Sequence, residues 1–240
     1  MIKSLLIANR GEIAVRIIKT CKKMGIRTVQ VFSDADKDSL STRLADDMVN
    51  IGPAPAAQSY LRDDIIIEKA LEKGVDAIHP GYGFLSENAA FSANVAKKGL
   101  IFIGPSSEVI KSLGDKIAAR RIAEKAGLEA VPGCEIGDLD AVEMDEIASK
   151  IGFPLMIKAA AGGGGRGIRV VHSVSDLKSC LATASAEAKA SFGDGTIYLE
   201  RYIKNARHIE VQFLGDGQTF LHLFERECSI QRRRQKIWEE

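Results

Sequence analysis

The first hundred residues alternate short apolar runs with stretches whose apolar positions recur at helical spacing. Strand-like runs fall at 5–8, 28–32, 76–79 and 101–103, and helical patterns at 11–24 and 62–72. Strands separated by helices read as βαβ units, so the pattern predicts a parallel sheet covered on both faces. Gly25, Gly74 and Gly99 each close a helical pattern just before a strand-like run, where a helix C-cap takes up left-handed backbone. The architecture is Rossmann-like. Its first strand leads into Arg10-Gly11-Glu12 and not into a G-x-G-x-x-G turn, so no dinucleotide site is read there.

From Gly114 the pattern changes. The segment GDKIAARRIAEKAG predicts a helix, followed by a V-P-G-C loop and a helical stretch over 141–150. A smaller unit then runs in the order strand 154–158, glycine loop 162–167, strand 168–171, helix 174–190 and strand 196–200. A hairpin pairing 208–214 with 220–227 through Gly215-Asp216-Gly217 closes the order. A two-stranded hairpin is marginal alone, and little sequence follows to cover its apolar face. The chain is therefore expected to end inside a domain.

Composition narrows the class. With 240 residues, 45% of them hydrophobic, the chain can bury one substantial core or two smaller ones. No apolar run approaches the roughly 18 residues that cross a bilayer, and Asn9, Arg10 and Glu12 interrupt the start where a signal peptide would stay apolar. A soluble, cytoplasmic protein with no membrane association is expected. The net charge of +1 leaves no footprint for nucleic-acid binding, so any phosphate must be held locally. Cys21, Cys134, Cys180 and Cys228 are widely spaced without a CxxC pair, which reads as buried free thiols and not as a zinc site or disulfide framework.

The run F-P-L-M-I-K-A-A-A-G-G-G-G-R-G-I-R-V-V carries the clearest chemistry. Glycines let backbone N–H groups approach phosphate oxygens closely, and Lys158 and Arg166 add positive charge. Here the glycines join two strands, and no Gly-Lys-Ser/Thr follows, so the run reads as a strand-loop-strand lid over a nucleotide and not as a P-loop. Asp115 is placed to cap the next helix, which sets Lys116 in a first turn where its charge opposes the helix dipole. An anionic ligand would offset that cost; a solvated lysine without a role is the alternative. The loop H-P-G-Y-G-F-L-S-E-N follows the strand 76–79, with Glu87 beginning a helix, and is read as structural, His79 included. In the C-terminal block, a continued strand would put Gln231, Arg233 and Gln235 on one face and Arg232, Arg234 and Lys236 on the other. Three cations on one face call for an anion such as phosphate or bicarbonate.

Seven motifs in order resemble the biotin carboxylase family, an ATP-grasp family found in acetyl-CoA, propionyl-CoA, methylcrotonyl-CoA and pyruvate carboxylases. They are A-N-R-G-E-I-A at 8–14, H-P-G-Y-G-F-L-S-E-N at 79–88, F-I-G-P at 102–105, G-D-K at 114–116, K-A-A-A-G-G-G-G-R-G at 158–167, R-H-I-E-V-Q at 207–212 and E-R-E-C-S-I-Q-R-R at 225–233. The resemblance implies an α/β fold in three parts. A Rossmann-like pre-ATP-grasp domain would occupy 1–113, linker helices and an α+β ATP-grasp lid subdomain 114–203, and the truncated start of the large ATP-grasp subdomain 204–240. It also implies that Lys116 and Lys158 hold ATP phosphates beneath a lid containing Gly164 and Gly165. Glu200, Arg201, Tyr202 and Ile203 would line the adenine, mostly through backbone groups. His208, Gln231 and Arg234 would lie near the ribose or the reacting phosphates, and Lys236 would help bind bicarbonate.

The implied reaction has two parts. Bicarbonate attacks the γ-phosphate of ATP, with magnesium or manganese, to give carboxyphosphate; the carboxyl group then passes to a ureido nitrogen of biotin on a carrier protein or domain. A carboxyltransferase component and a homodimer complete the implied partners. Two departures from the family stand out. Arg234 replaces a histidine in Q-R-R-H-Q-K, putting a permanent charge where the family has a group that can be neutral. The family also continues for about two hundred residues past a terminus like Glu240, with its metal-binding carboxylates there, so this chain alone is expected not to turn over. The competing readings are another ATP-grasp ligase that joins a carboxylate to an amine, and a non-catalytic nucleotide-binding fragment.

Overall fold

The computed structural model describes residues 1–114, 116–136, 141–159, 168–192, 195–232 and 235–240. Contacts divide the chain into two units, Met1–Ala119 and Arg120–Glu240.

In the first unit, β1 (Ser4–Ile7), α1 (Gly11–Lys23), β2 (Arg27–Phe32), α2 (Leu40–Leu44), β3 (Asp47–Asn50), α3 (Asp63–Glu72), β4 (Ala77–His79), α4 (Ala89–Lys97), β5 (Ile101–Phe102) and α5 (Ser107–Gly114) follow one another. The five strands form one sheet in the order β3-β2-β1-β4-β5, every pair parallel. Alternation along β1 splits its side chains between two cores. Leu6 and Ala8 face a cluster with Ile66, Ile78, Phe91 and Val95, which α3 and α4 supply. Leu5 and Ile7 face Ala14, Ile17, Ile18 and Cys21 of α1. Gly25, Gly74 and Gly99 take positive φ of 69°, 57° and 76°, as their positions after helices predict. The edge strand β3 and α2 escape the periodicity because both are short and mixed in polarity. The helix after the H-P-G-Y loop starts later than Glu87: Asn88 is the N-cap, accepting the Phe91 N–H at 3.0 Å.

The second unit holds α6 (Lys116–Lys125, which begins just before it), β6 (Gly133–Ile136), α7 (Ala141–Ile151), β7 (Leu155–Ala159), β8 (Arg169–Val171), α8 (Val174–Phe192), β9 (Ile197–Arg201), β10 (Ile209–Gly215), β11 (Phe220–Glu227), β12 (Gln231–Arg232) and β13 (Gln235–Lys236). An antiparallel sheet runs β6-β9-β7-β8. Residues read as the V-P-G-C loop begin a strand instead, since Gly133 and Cys134 pair with Glu200 and Leu199. Leu155, Ile157, Val171, Ile197 and Leu199 share a core with Leu177, Leu181, Ala184 and Ala188 of α8 and with Ala148 and Ile151 of α7.

β10 and β11 form their own antiparallel ladder, with a register shift between Val211 and Phe213 and Phe224 at φ 64°. The loop between them is closed by Asp216, whose Oδ1 accepts the N–H groups of Gln218 and Thr219. Phe213, Leu214, Phe220, Leu221 and Phe224 are all more than half exposed. No helix among the described residues is long and apolar enough to cross a membrane. The four cysteines are free; Cys21 and Cys228 are buried, whereas Cys134 and Cys180 are only half-buried against the edges of their core.

Candidate functional site

Period-two burial along β7 and β9 sorts their side chains. Leu155, Ile157 and Ala159 go into the core, and Met156 and Lys158 to the opposite face; Ile197 and Leu199 go in, and Tyr198 and Glu200 out. The register pairs Lys158 with Tyr198 and Met156 with Glu200, so Lys158 and Glu200 are diagonal neighbours on the face opposite the core. Their side chains form an ion pair. Both stay accessible, at 27% and 20%. The Arg120 guanidinium lies over the Tyr198 ring, 5.8 Å from its centroid, and bonds Glu124 at 2.9 Å. Burial raises the Tyr198 phenol, whose hydroxyl is buried with no hydrogen-bond partner among the described residues. One sheet face thus gathers two cations, a carboxylate and a polar aromatic near the end of β7, a few residues before the glycine loop 162–167.

Past Glu200 the chain is tied down by its backbone. The Arg201 N–H donates to the Pro132 carbonyl at 2.8 Å and the Tyr202 N–H to the Pro154 carbonyl at 2.9 Å. Arg201 also turns its guanidinium inward: Nε donates to the carbonyl of Ile151, the last residue of α7, at 2.8 Å. A cation at a helix C-terminus satisfies an orphan carbonyl and complements the dipole. Ile203 is about half exposed.

The C-terminal block does not run on as one strand. Gln231 pairs with Lys236 and Arg232 with Gln235, so the chain reverses between them and the expected single face carrying Arg232, Arg234 and Lys236 does not form. Lys236 Nζ instead bonds Glu210, which also takes a fork from Arg226. Hydrogen bonds from Lys236 and Arg226 pull the Glu210 carboxyl down to about 2. Gln231 Nε2 donates to the Cys228 carbonyl at 3.0 Å, and the Cys228 N–H donates to the His208 carbonyl at 2.7 Å. His208, Gln231 and Lys236 thus gather around the open end of the β10–β11 hairpin, while Lys158 and Glu200 belong to the other sheet. The side chain of Lys116, and Asp115, Gly164, Gly165, Arg166, Arg233 and Arg234 entirely, lie outside the described residues.

In the first unit the connections leaving β1 and β4 diverge, which makes their carboxyl ends a topological switch point. Asn9 bridges the two loops there, its Nδ2 donating to the carbonyls of Pro80 and Tyr82 at 2.7 Å each. Arg10 pairs with Asp36 at 3.2 Å and lies over the rings of Tyr60 and Phe84, while Tyr82 bonds Glu12. Phe84 sits at φ 40°, and the crevice of about 380 Å³ is lined by Asn9, Arg10, Tyr82, Gly83 and Phe84. The sequence puts this loop at the carboxyl end of a parallel strand, where open α/β sheets place ligands, and gives it no chemistry of its own. His79 has the structural role expected of it, accepting the Gly81 N–H on Nδ1 at 3.0 Å, and burial lowers its imidazole.

Residues 1–110 match the family described as biotin carboxylase, N-terminal domain, and residues 115–240 that described as carbamoyl-phosphate synthase L chain, ATP binding domain. The chain is 51% identical to the biotin carboxylase of Halalkalibacterium halodurans, over 100% of the chain and 53% of that protein. It is also 51% identical to the mitochondrial propionyl-CoA carboxylase alpha chain of Sus scrofa, over 98% of the chain and 32% of that protein. Among solved structures, a biotin carboxylase-beta-gamma-ATP complex from Campylobacter jejuni superimposes with a TM-score of 0.92 at 48% identity, covering 100% of the chain and 54% of that one. The biotin carboxylase domain dimer of Hydrogenobacter thermophilus 2-oxoglutarate carboxylase, with MgADP, ADP and bicarbonate, gives 0.90 at 45% identity, covering 100% and 53%. The chain spans about half the length of the biotin carboxylases it matches. Equal identity to relatives serving different carboxylases does not single out acetyl-CoA carboxylase.

Proposed function

The chain belongs to the biotin carboxylase family of ATP-dependent ligases, and from that premise we propose that it grips MgATP in an enzyme that carboxylates biotin with bicarbonate. The observation that carries the reading is Lys158, a partly accessible cation on the face of β7 opposite the core, three alanines before four consecutive glycines, Gly162 to Gly165. Its present partner is a carboxylate, so the position already holds one anionic group. A triphosphate oxygen would take the place of Glu200 on Nζ, with Gly164 and Gly165 closing from the lid and Lys116 as a further phosphate contact.

Glu200, Arg201, Tyr202 and Ile203 would line the adenine, mostly through backbone groups, with the N–H groups of Arg201 and Tyr202 already bonded to the Pro132 and Pro154 carbonyls. Arg201 and Tyr202 hold that segment in place. His208, Gln231 and Arg234 would face the ribose and reacting phosphates. Lys236 would receive bicarbonate by exchanging Glu210 for it. Bicarbonate oxygen would attack the γ-phosphorus with ADP leaving, and the carboxyphosphate formed would then transfer its carboxyl group to the biotin ureido nitrogen, which gives up its proton as the C–O bond breaks and phosphate is released. The protein's share is positioning and charge neutralisation. Magnesium would arrive with the nucleotide, and no described residue is assigned to it.

In this reading 114–203 is the lid subdomain and 204–240 the start of the large ATP-grasp subdomain. The carrier protein or domain bearing biotin, a carboxyltransferase component, homodimer formation and a cytoplasmic site complete it. The dimeric, bicarbonate-bound relative supports the substrate and the assembly. Calorimetric titration of MgATP into the chain and into Lys158→Ala tests the grip; equal affinities would refute it. Bicarbonate-dependent ADP formation would separate this chemistry from that of a carboxylate-amine ligase, whereas MgATP binding without any turnover would support the non-catalytic nucleotide-binding reading.

A further inference from the structure

Three side chains of different chemistry meet at the open end of the β10–β11 hairpin. Ile209 pairs with Glu227 and Glu210 with Arg226, so His208 stands opposite Cys228, and their backbones are joined by the 2.7 Å hydrogen bond from Cys228 N–H. His208 and Glu210 are two residues apart and share a face. A nitrogen of His208, a carboxylate oxygen of Glu210 and the sulfur of Cys228 all lie within 4.8 Å of one another, the one such convergence of three or more potential metal ligands among the described residues. His208 is exposed, Glu210 half-buried and Cys228 buried, so the group has a closed floor and an open mouth.

We propose that this is a binding site for a divalent transition metal of the zinc class. One thiolate and one carboxylate neutralise a 2+ ion, and an imidazole completes a three-ligand set that leaves a fourth position open, as in zinc sites with mixed N, O and S donors. Sulfur and imidazole donors select zinc or cobalt over magnesium, which prefers oxygen alone. The thiol proton leaves on binding. Glu210 is the shared element: Arg226 holds Oε1, while Lys236 Nζ holds Oε2. A metal on either oxygen meets one of these two cations, so metal and Lys236 compete for the carboxylate's charge.

The test is a titration of the 240-residue chain with Co²⁺, followed by absorbance. One equivalent should produce a thiolate-to-cobalt charge-transfer band, which Zn²⁺ abolishes and excess Mg²⁺ leaves intact. Cys228→Ser should lose the band. His208→Asn, a change at an exposed side chain, should weaken binding by more than about 100-fold, beyond the effect typical of an outer-shell partner. Lys236→Gln, which removes the competitor, should bind Co²⁺ more tightly than the unaltered chain. Absence of the band, its survival in Cys228→Ser, unchanged affinity in His208→Asn, or weaker binding in Lys236→Gln would each overturn the proposal.

Discussion

Lys158 and Glu200 reach each other diagonally across β7 and β9, each leaving the core by the alternation of its own strand. The pair holds the lysine in place beside the glycine tract and gives it a partner that an incoming anion can replace.

That relationship sets the first expectation. Lys158→Ala removes a charge-assisted hydrogen bond worth about 1.5–3 kcal/mol, so MgATP affinity should fall by about tenfold or more. Glu200→Gln removes only the competing charge and keeps the backbone, so affinity should hold or rise. Because the pair is partly exposed, neither change should cost more than about 1 kcal/mol of stability. Calorimetry and thermal unfolding on both variants decide.

A second expectation concerns Gly152, at φ 85° beyond the end of α7. A Cβ there would strike the Arg201 guanidinium, which bonds the Ile151 carbonyl. Gly152→Ala should destabilise the second unit by about 1–2 kcal/mol from backbone strain alone, and by more if Arg201 is expelled. Chemical denaturation measures it. A change below about 0.5 kcal/mol would show that the helix end does not depend on this contact.

Tyr60 predicts the behaviour of the first unit. It is 1% exposed, its hydroxyl donates to Asp36 at 2.7 Å and accepts the Ser33 N–H at 3.1 Å, and burial pushes the phenol up to about 12. Burial opposes ionisation of Asp36, but bonds from Tyr60, Ser33 and Arg10 prevail and lower its pKa. Tyr60→Phe leaves the Ser33 N–H without its partner and should cost about 1–3 kcal/mol. The Asp36 carboxyl should then titrate at higher pH, read by NMR.

Glu210 gives a pH signature. Its carboxyl is lowered from 4.5 to about 2 by Lys236 and Arg226, so protons bind the unfolded form more readily in that range. The stabilisation is present above pH 4.5 and is lost as pH falls through 2. Glu210→Gln should flatten the dependence of hairpin order on pH between those limits, monitored by NMR of β10 and β11. An unaltered profile would place the acid sensitivity elsewhere.

The sequence by itself determined the alternation of strand and helix in the first unit and the strand, glycine loop, strand, helix, strand succession of the second, but not β3, β6 or the order of strands within a sheet. Periodicity is a local property: apolar spacing of two or 3.6 residues separates strand from helix, and glycines after helices mark the caps. It also placed Lys158 at the end of a strand that opens onto glycines, and the seven motifs identified the family. The tertiary structure decided which side chains meet. Glu200 is 42 residues from Lys158, and Cys228 is 20 from His208, so no spacing rule brings either pair together; cross-strand register does. The same dependence explains the errors. Gly133 and Cys134 look like loop until β9 offers them a ladder, and the basic block looks like one strand until Gln231 turns back onto Lys236. The Asn9 bridge over the switch-point crevice is likewise invisible in sequence, because burial and hydrogen bonding are settled by the packing of distant segments and not by neighbours along the chain.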